Sequence, residues 1–338
     1  MTTGCTDFFL AWRALPNTMV HPFSLRDASL IRKLGNRGTS FDSRTYLTRD
    51  LHLLRYATLA GLLPNLYPET QILDRAGNGC GFAQLSHSIG NPSSRLRFLA
   101  PKEIITGNFG SALIEALLAE AGHRQAQHIL AEVEENSEEY DFFRREGFTI
   151  YARQEIWKSG PAVLINDSSP EGLLRVFESI DAPAALGLYC SVVPSMVYQM
   201  EGFPKKPKGW VLYEEGELVG FFGTLSGPLG LRVEPIFHPG ARQVASWMAA
   251  WLSAPDFPVG RPVYVCVRSY QDWVGAILRD AGFSLFSRQA VFSRRIVVPI
   301  PVLEGIHISA KENPAPQATT YTPGPSPTAY DTATSDHR

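Results

Sequence analysis

The sequence predicts an α/β (α+β) protein built of two similar modules in tandem, each a mixed, mostly antiparallel sheet flanked by helices. Three observations predict it. The chain has 338 residues, about twice the length of a typical domain. Its apolar residues switch between strand-like and helix-like spacing in the same order twice. Finally, Gly147-Phe148-Thr149-Ile150-Tyr151-Ala152-Arg153-Gln154-Glu155-Ile156-Trp157 aligns without gaps to Gly282-Phe283-Ser284-Leu285-Phe286-Ser287-Arg288-Gln289-Ala290-Val291-Phe292, an offset of 135 residues with four identities. Self-similarity at a fixed period marks a repeated structural unit.

Taken in order, residues 1–19 read as a leader. The apolar patch Phe8 to Trp12 lies between Asp7 and Arg13, too short and wrongly flanked for a signal peptide. The first module, 20–158, begins with a strand over Pro22 to Arg26, followed by helices between Asp27 and Leu63. Strands then follow over Gln71 to Arg75, Gly81 to Ser88 and Leu96 to Ala100. The loop Pro101 to Gly110 leads into a helix over Ser111 to Ala121, where Leu113, Ile114, Leu117 and Leu118 recur at helical spacing. A strand over Ile129 to Val133, a helix over Ser137 to Glu146 and the repeated Gly-Phe strand complete the unit. Turn formers at 159–170 mark a linker.

The second module, 171–300, repeats the order: strands Trp210 to Glu214, Leu218 to Ser226 and Leu231 to Ile236, helix Arg242 to Leu252, strand Val263 to Val267, helix Gln271 to Ala281, then Gly-Phe and a strand. The stretch Ala182 to Pro194 carries internal proline and glycine and falls short of the roughly 20 residues a membrane helix requires, so it reads as core. The last segment, 301–338, is rich in proline and threonine and from Ser309 onward holds no Leu, Val, Phe or Trp, which predicts a disordered tail.

Composition narrows the function. Charged residues make up 19% and the net charge is −2; no basic helix or zinc-finger spacing is present, so nucleic-acid binding is not expected. Cys5, Cys80, Cys190 and Cys266 form no C-x-x-C pair, so neither a metal site nor a disulfide framework is expected, and a reducing cytoplasm fits. No membrane association is expected.

Strand, loop, amphipathic helix, strand, helix, Gly-Phe, strand: this order, with Gly110-Ser111-Ala112-Leu113-Ile114-Glu115-Ala116-Leu117-Leu118 and, downstream, Val133, Asn136, Phe142, Phe143 and Gly147-Phe148, resembles the GNAT superfamily of acyl-CoA-dependent N-acetyltransferases. The second module resembles a more eroded copy. The resemblance implies acetyl-CoA, or another acyl-CoA, as co-substrate, with no metal, and a small-molecule or peptide amine as acceptor. It implies donor contacts from Leu99, Ala100, Gly107, Asn108, Phe109, Gly110, Ser111, Asn136 and Phe143. A helix N-terminus suits a pyrophosphate because its N–H groups are unpaired and its dipole end is positive. In the family pattern an Arg or Gln precedes the two glycines; here Ile105 and Asn108 stand in the register Ile105-Thr106-Gly107-Asn108-Phe109-Gly110. The second module keeps only Gly240 in His238-Pro239-Gly240-Ala241-Arg242-Gln243.

Several residues carry a structural reading beside the functional one. Gly110 reads as a helix-entry turn or a phosphate contact, and Asn136 as a helix cap with Glu139 or a contact to the donor's arm. The family's proton-donating tyrosine falls at Phe143, with Leu278 as its counterpart. Tyr140, one turn earlier, is the candidate acid, against a packing role. Glu103 is the candidate base, with Glu132 and Glu134 of similar standing, against solvated loop carboxylates. The acidic run Glu132, Glu134, Glu135, Glu138, Glu139 and Asp141 reads as an attractor for a cationic amine or a solvated face. Arg153-Gln154 and Arg288-Gln289 read as a polar pair at an interface or in a cleft, or as exposed arginines beside sheet-edge glutamines. Two functions follow: acetyl transfer from acetyl-CoA to an amine by direct attack on the thioester, or a non-catalytic descendant that binds acyl-CoA or a protein partner.

Overall fold

The computed structural model describes residues 18–49, 69–75, 78–88, 90–160, 172–253 and 260–296. The leader as far as residue 17, the linker over 161–170 and the tail from 301 lie outside the described residues.

In the first half, β1 (Thr18–Pro22) precedes α1 (Ala28–Leu34), the two-residue β2 (Thr39–Ser40) and α2 (Ser43–Tyr46). Strands β3 (Glu69–Arg75), β4 (Asn78–His87) and β5 (Ser93–Ala100) form a meander, followed by α3 (Asn108–His123), β6 (His128–Glu134), α4 (Glu138–Arg145) and β7 (Thr149–Ser159). The second half runs β8 (Leu173–Val176), α5 (Ala182–Val192), α6 (Ser195–Glu201), β9 (Gly209–Glu214), β10 (Glu217–Ser226), β11 (Leu231–Phe237), α7 (Val244–Leu252), β12 (Val263–Arg268), α8 (Val274–Asp280) and β13 (Phe283–Arg295).

The expected strand over Pro22 to Arg26 ends at Pro22. Asp27 turns back to accept the Ser24 N–H at 2.7 Å, which closes a 3-10 turn over Leu25–Asp27. The same device recurs where Asp181 accepts the Glu178 N–H at 2.8 Å. The helix expected from Gln271 begins at Val274, because the Gln271 side chain is committed to β11. Ala182 to Pro194, read as core, supplies α5, which buries Ala185, Leu188 and Tyr189.

All strands join one sheet, in the order β1-β3-β4-β5-β6-β13-β7-β12-β11-β10-β9-β8, with β2 on β5. The two modules therefore exchange their last strands. β13, from the second half, pairs antiparallel with β6 of the first, and β7, from the first, pairs with β12 of the second. At the junction Gln154 faces Gln289. These residues are equivalent in the repeat, so a local twofold passes between them. Gln154 Nε2 donates to Gln289 Oε1 at 2.8 Å, and both side chains are buried. Arg153 and Arg288 reach outward to Glu135 and Glu155 at 2.8 and 2.9 Å. The repeated glutamines are thus an interface pair in the middle of the sheet rather than at an edge, whereas the arginines beside them are exposed, as the other reading has them.

Apolar cores form where helices cover the sheet. α3 and α4 pack Leu113, Leu117, Phe142 and Phe143 onto β3 to β6 and β13. α7 and α8 pack Trp247, Trp251, Val274 and Leu278 onto the second half. On the opposite face α5 and α6 meet Ala152 and Val291 of the exchanged strands.

A buried ion network ties the halves together. Arg268 donates to Glu201 at 2.7 Å and to Glu234 at 3.3 Å. Arg95 reaches Glu201 at 2.8 Å and Glu132 at 3.3 Å, and Arg44 reaches Glu201 at 3.2 Å. Tyr151 Oη donates to the same carboxylate at 2.8 Å. Burial pushes the Glu201 carboxyl up, but Arg268, Arg95 and Arg44 outweigh it and hold it down to about 2.

Two predictions follow from this junction. Gln154→Leu or Gln289→Leu alone leaves a buried amide without its partner and should cost about 1–3 kcal/mol. The double variant should lose less than the sum of the singles, measured by urea denaturation as a double-mutant cycle. Because the folded Glu201 pKa lies below its unfolded value, its contribution is present above the unfolded pKa and is lost as pH falls through the folded one. Stability should therefore drop between about pH 4.5 and 2, and Glu201→Gln should flatten that part of the urea-midpoint profile.

Candidate active site

β5 and β6 are parallel and pair only from Ser93–His128 to Arg95–Leu130. Beyond Arg95 they splay, and a segment of the same chain fills the gap. Thr39 and Ser40 pair with Leu99 and Phe98, the Phe41 N–H donates to Arg97 O, and the Glu132 N–H donates to Phe41 O, both at 2.9 Å. Gly38 allows this approach, since a Cβ there would strike the Phe98 ring and Leu99 O. The Phe41 ring is buried and stands edge-on to Phe143 at 4.9 Å.

At the open end of the splay lies a cleft of about 650 Å³, lined among others by Thr39, Tyr46, Glu132, Glu134, Glu139 and Gln289. Glu132 accepts the Ser43 N–H at 2.8 Å. Glu139 holds Lys102 at 3.1 Å, Glu134 is exposed, and the Tyr46 hydroxyl accepts from Gln289 Nε2 at 3.0 Å. Burial and the Glu132 charge push the Tyr46 hydroxyl well above its ordinary range, so it stays neutral. Three of the acidic-run carboxylates thus share one cleft, whereas Glu135 is taken by Arg153 and Glu138 and Asp141 are exposed.

The expected donor contacts fall in several places. Leu99 and Ala100 are buried on β5. Gly107 caps α3 in an extended conformation, and nothing lies within 4 Å of where its Cβ would be. Asn108 opens the helix, and Phe109 packs half-buried on the core. Gly110 faces inward: a Cβ would lie 2.8 Å from the Phe142 ring and 2.9 Å from Ile104 O. Its lack of a side chain lets α3 close on α4, and it lies inside the helix rather than in a turn before it. Ser111 donates to Glu146 at 2.6 Å and links the same two helices.

Asn136 has φ +62° and does not cap α4. Ser137 is the cap, its hydroxyl accepting the Tyr140 N–H at 3.1 Å, and Glu139 turns to Lys102. Phe143 is fully buried among Phe41, Phe148 and Phe292. Tyr140 packs edge-on against Phe292 at 5.3 Å, so it shares a cluster with Phe143 as its helical spacing implies. Glu103 is exposed and pairs with Arg37 at 3.0 Å; a backbone hydrogen bond and Arg37 hold its carboxyl below the usual range, which weakens it as a base. Tyr140 and Glu103 are not brought together by any shared partner.

In the second half the corresponding edges are satisfied differently. Gln271 accepts the Phe237 N–H at 2.7 Å and donates to Pro235 O at 3.1 Å, bridging both groups that β11 turns toward its splay from β12. Before α7, the Glu214 carboxylate accepts the Arg242 N–H at 3.1 Å and Trp247 Nε1–H at 2.8 Å. A fixed carboxylate therefore stands beside that helix entry. Sequence reasoning gave no sign of either role.

No protein-family model matches the sequence, and no curated protein matches it significantly. Solved structures do match. A GCN5-related N-acetyltransferase from Sphaerobacter thermophilus superposes with a TM-score of 0.55 at 12% identity, covering 85% of this chain and 98% of its own. The fold is that of the GCN5-related N-acetyltransferases. It is present here as two modules. A GCN5-related glucosamine N-acetyltransferase region in a fungal multi-domain β-N-acetylglucosaminidase also matches, with a TM-score of 0.55 at 11% identity over 83% of this chain and 38% of the other. A tandem GNAT protein from the clavulanic acid pathway is similar at a TM-score of 0.48 and 15% identity, over 84% of this chain and all of its own. No helix among the described residues is long and apolar enough to cross a membrane.

The two glycines make opposite predictions. Gly110→Ala should destabilise by about 1–3 kcal/mol through overpacking against Phe142. Gly107→Ser, which places a good capping residue in open space, should change stability by no more than about 0.5 kcal/mol. Chemical denaturation of the two variants checks both.

Proposed function

We propose that the chain is an acyl-CoA-dependent N-acyltransferase acting in its first module, with a cationic amine as acceptor. One observation carries this reading: the acidic cleft of Glu132, Glu134 and Glu139 opens directly onto the splay of β5 and β6. Glu132 and Glu139 are held by Arg95 and Lys102, so the exposed Glu134 is the carboxylate that would attract an ammonium group and take the proton that the amine must lose before it attacks. Tyr140 would hold a proton for a departing thiolate, in place of the hydroxyl missing at Phe143.

The residues fit an acyl-CoA in part. Open space at Gly107, before the sixteen-residue helix α3, suits a phosphate at a helix N-terminus. The β5 edge that would meet the amide arm is filled in this conformation by Thr39 to Phe41. When bound, the coenzyme supplies an activated acyl group; the chain's part is to draw the segment 38–41 off β5. In the second module Gln271 and Glu214 occupy the equivalent positions, which supports assigning the donor to the first.

A second reading, a non-catalytic descendant, is favoured by the packing of Phe41 on Phe143. Calorimetry with acetyl-CoA, followed by thiol release over small amines and peptides, separates the two. If the segment competes with the donor, apparent affinity is reduced by the fraction of molecules that are open, and Phe41→Leu should bind acetyl-CoA more tightly than the parent. Tyr140→Phe should lower turnover at least roughly tenfold with affinity unchanged. Absence of acetyl-CoA binding in both the parent and a folded Phe41→Leu variant would establish the second reading.

A further inference from the structure

The local twofold at Gln154 and Gln289 gives positions around the first module's cleft a counterpart in the second half. Gln289 lies opposite Glu134 and Gln154 opposite Arg268, so Glu134 and Arg268 are equivalent. In the repeat, Phe286 aligns with Tyr151. Both are the extra residue of a β-bulge: the register of β13 on β7 skips Phe286 between Leu285 and Ser287, and skips Tyr151 between Ala152 and Ile150. A bulge re-aims a side chain. Tyr151 reaches the ion network, and Phe286 lines the cleft.

The second half fills this arrangement from within. Glu201 accepts Arg268 Nη2 at 2.7 Å and Tyr151 Oη at 2.8 Å, and shares its charge with Arg95 and Arg44. In the first half the same two positions carry a carboxylate and a ring without a hydroxyl. Of the other charged groups that line the cleft, Glu139 is paired with Lys102, and Glu132 with Arg95 behind it. Glu134 is exposed, and its carboxylate makes no hydrogen bond or ion pair among the described residues. Phe286 is 47% exposed. Its ring meets Tyr264 edge-on at 5.4 Å, and Lys158 Nζ lies 5.9 Å from its centroid, within the range at which an aromatic face attracts a cation. Where the second half seats a carboxylate on an arginine and a tyrosine hydroxyl, the first presents a carboxylate and an aromatic face, which suits the opposite charge.

We propose that Phe286, delivered from the second module, is an acceptor-binding residue of the first module's cleft and holds the substrate's primary ammonium group between its ring and the Glu134 carboxylate. The proposal rests on the reading of this cleft as the acceptor site. The ring also offers apolar surface, which an alkylammonium uses and an inorganic cation does not. Through the exchange of β13, the cleft becomes a joint product of both modules.

Calorimetric titration of the full chain with phenethylamine, which is protonated at neutral pH, tests this at constant ionic strength with and without acetyl-CoA. Phenylethanol, its neutral counterpart, and sodium are the comparison ligands. Phenethylamine should bind saturably, and neither comparison ligand should displace it. Phe286→Leu keeps apolar bulk but removes the ring and should weaken affinity several-fold, as should Glu134→Gln. Both side chains are exposed, so the variants should fold by circular dichroism; Phe286→Met replaces Phe286→Leu if that one does not. The proposal is overturned if phenethylamine fails to bind under either condition, if phenylethanol binds equally well, or if the folded variant without the ring binds as the parent does. Thiol release from acetyl-CoA over small amines, read in parallel, separates this site from the transfer reaction. Ring-dependent binding without thiol release upholds the site and removes the transfer, whereas thiol release with an unchanged kcat/KM in Phe286→Leu upholds the transfer and removes the site.

Discussion

The rest of the molecule depends on the exchange of β7 and β13. Each module hands its last strand to the other, so the centre of the sheet is a pair of crossed-over strands instead of two edges laid side by side. An exposed strand edge is a row of unpaired N–H and C=O groups, and here both edges that the modules would leave at the junction are consumed. The buried amide pair of Gln154 and Gln289 sits on the local twofold and fixes the register: a slip by one residue would turn every side chain of both strands to the wrong face.

That exchange also brings the ion network together. Glu201 at the end of α6 is met by Arg95 from β5 and Arg268 from β12, residues that separate modules would not place side by side. Around it, the two splays that define the fold are each satisfied from within, by different means. The first takes the backbone of Thr39 to Phe41, whereas the second takes one glutamine side chain. A main-chain wedge held through two short strand pairings can withdraw as a unit. The Gln271 amide, anchored at both ends on β11, is part of its own strand's support.

Much of the architecture was legible because it is written in periodicity. Leu113, Ile114, Leu117 and Leu118 announce α3, and the Gly147 to Trp157 repeat announces the paired final strands. The strand exchange was not legible, since both β7 and β13 carry the same pattern whichever β6 or β12 they join; partner choice lies in contacts far apart in sequence. The second-half elements β8 and α5 were missed for a related reason. Their match to β1 and α1 rests on the turn built by Asp27 and Asp181, two side chains with dissimilar neighbours. At the candidate site the acidic run pointed to the cleft, but Gly110, Asn136 and Phe143 were placed by family pattern. Phe142, Ser137 and Phe41 decide what those three positions do, and the wedge at Gly38 to Phe41 has no apolar periodicity by which to be seen.

The crossed strands also bear on how the chain is made. A ribosome delivers the N-terminal module first, and domains generally fold as units during synthesis. Here the β6 edge receives its neighbour only when Phe283–Arg295 has been translated, so the first module must wait with an open edge while almost the whole second module is built. The completed β7 meanwhile waits for β12. Folding of the two halves is therefore one late event, and any pause in translation between them lengthens the exposure of the edges through which nascent chains pair with one another.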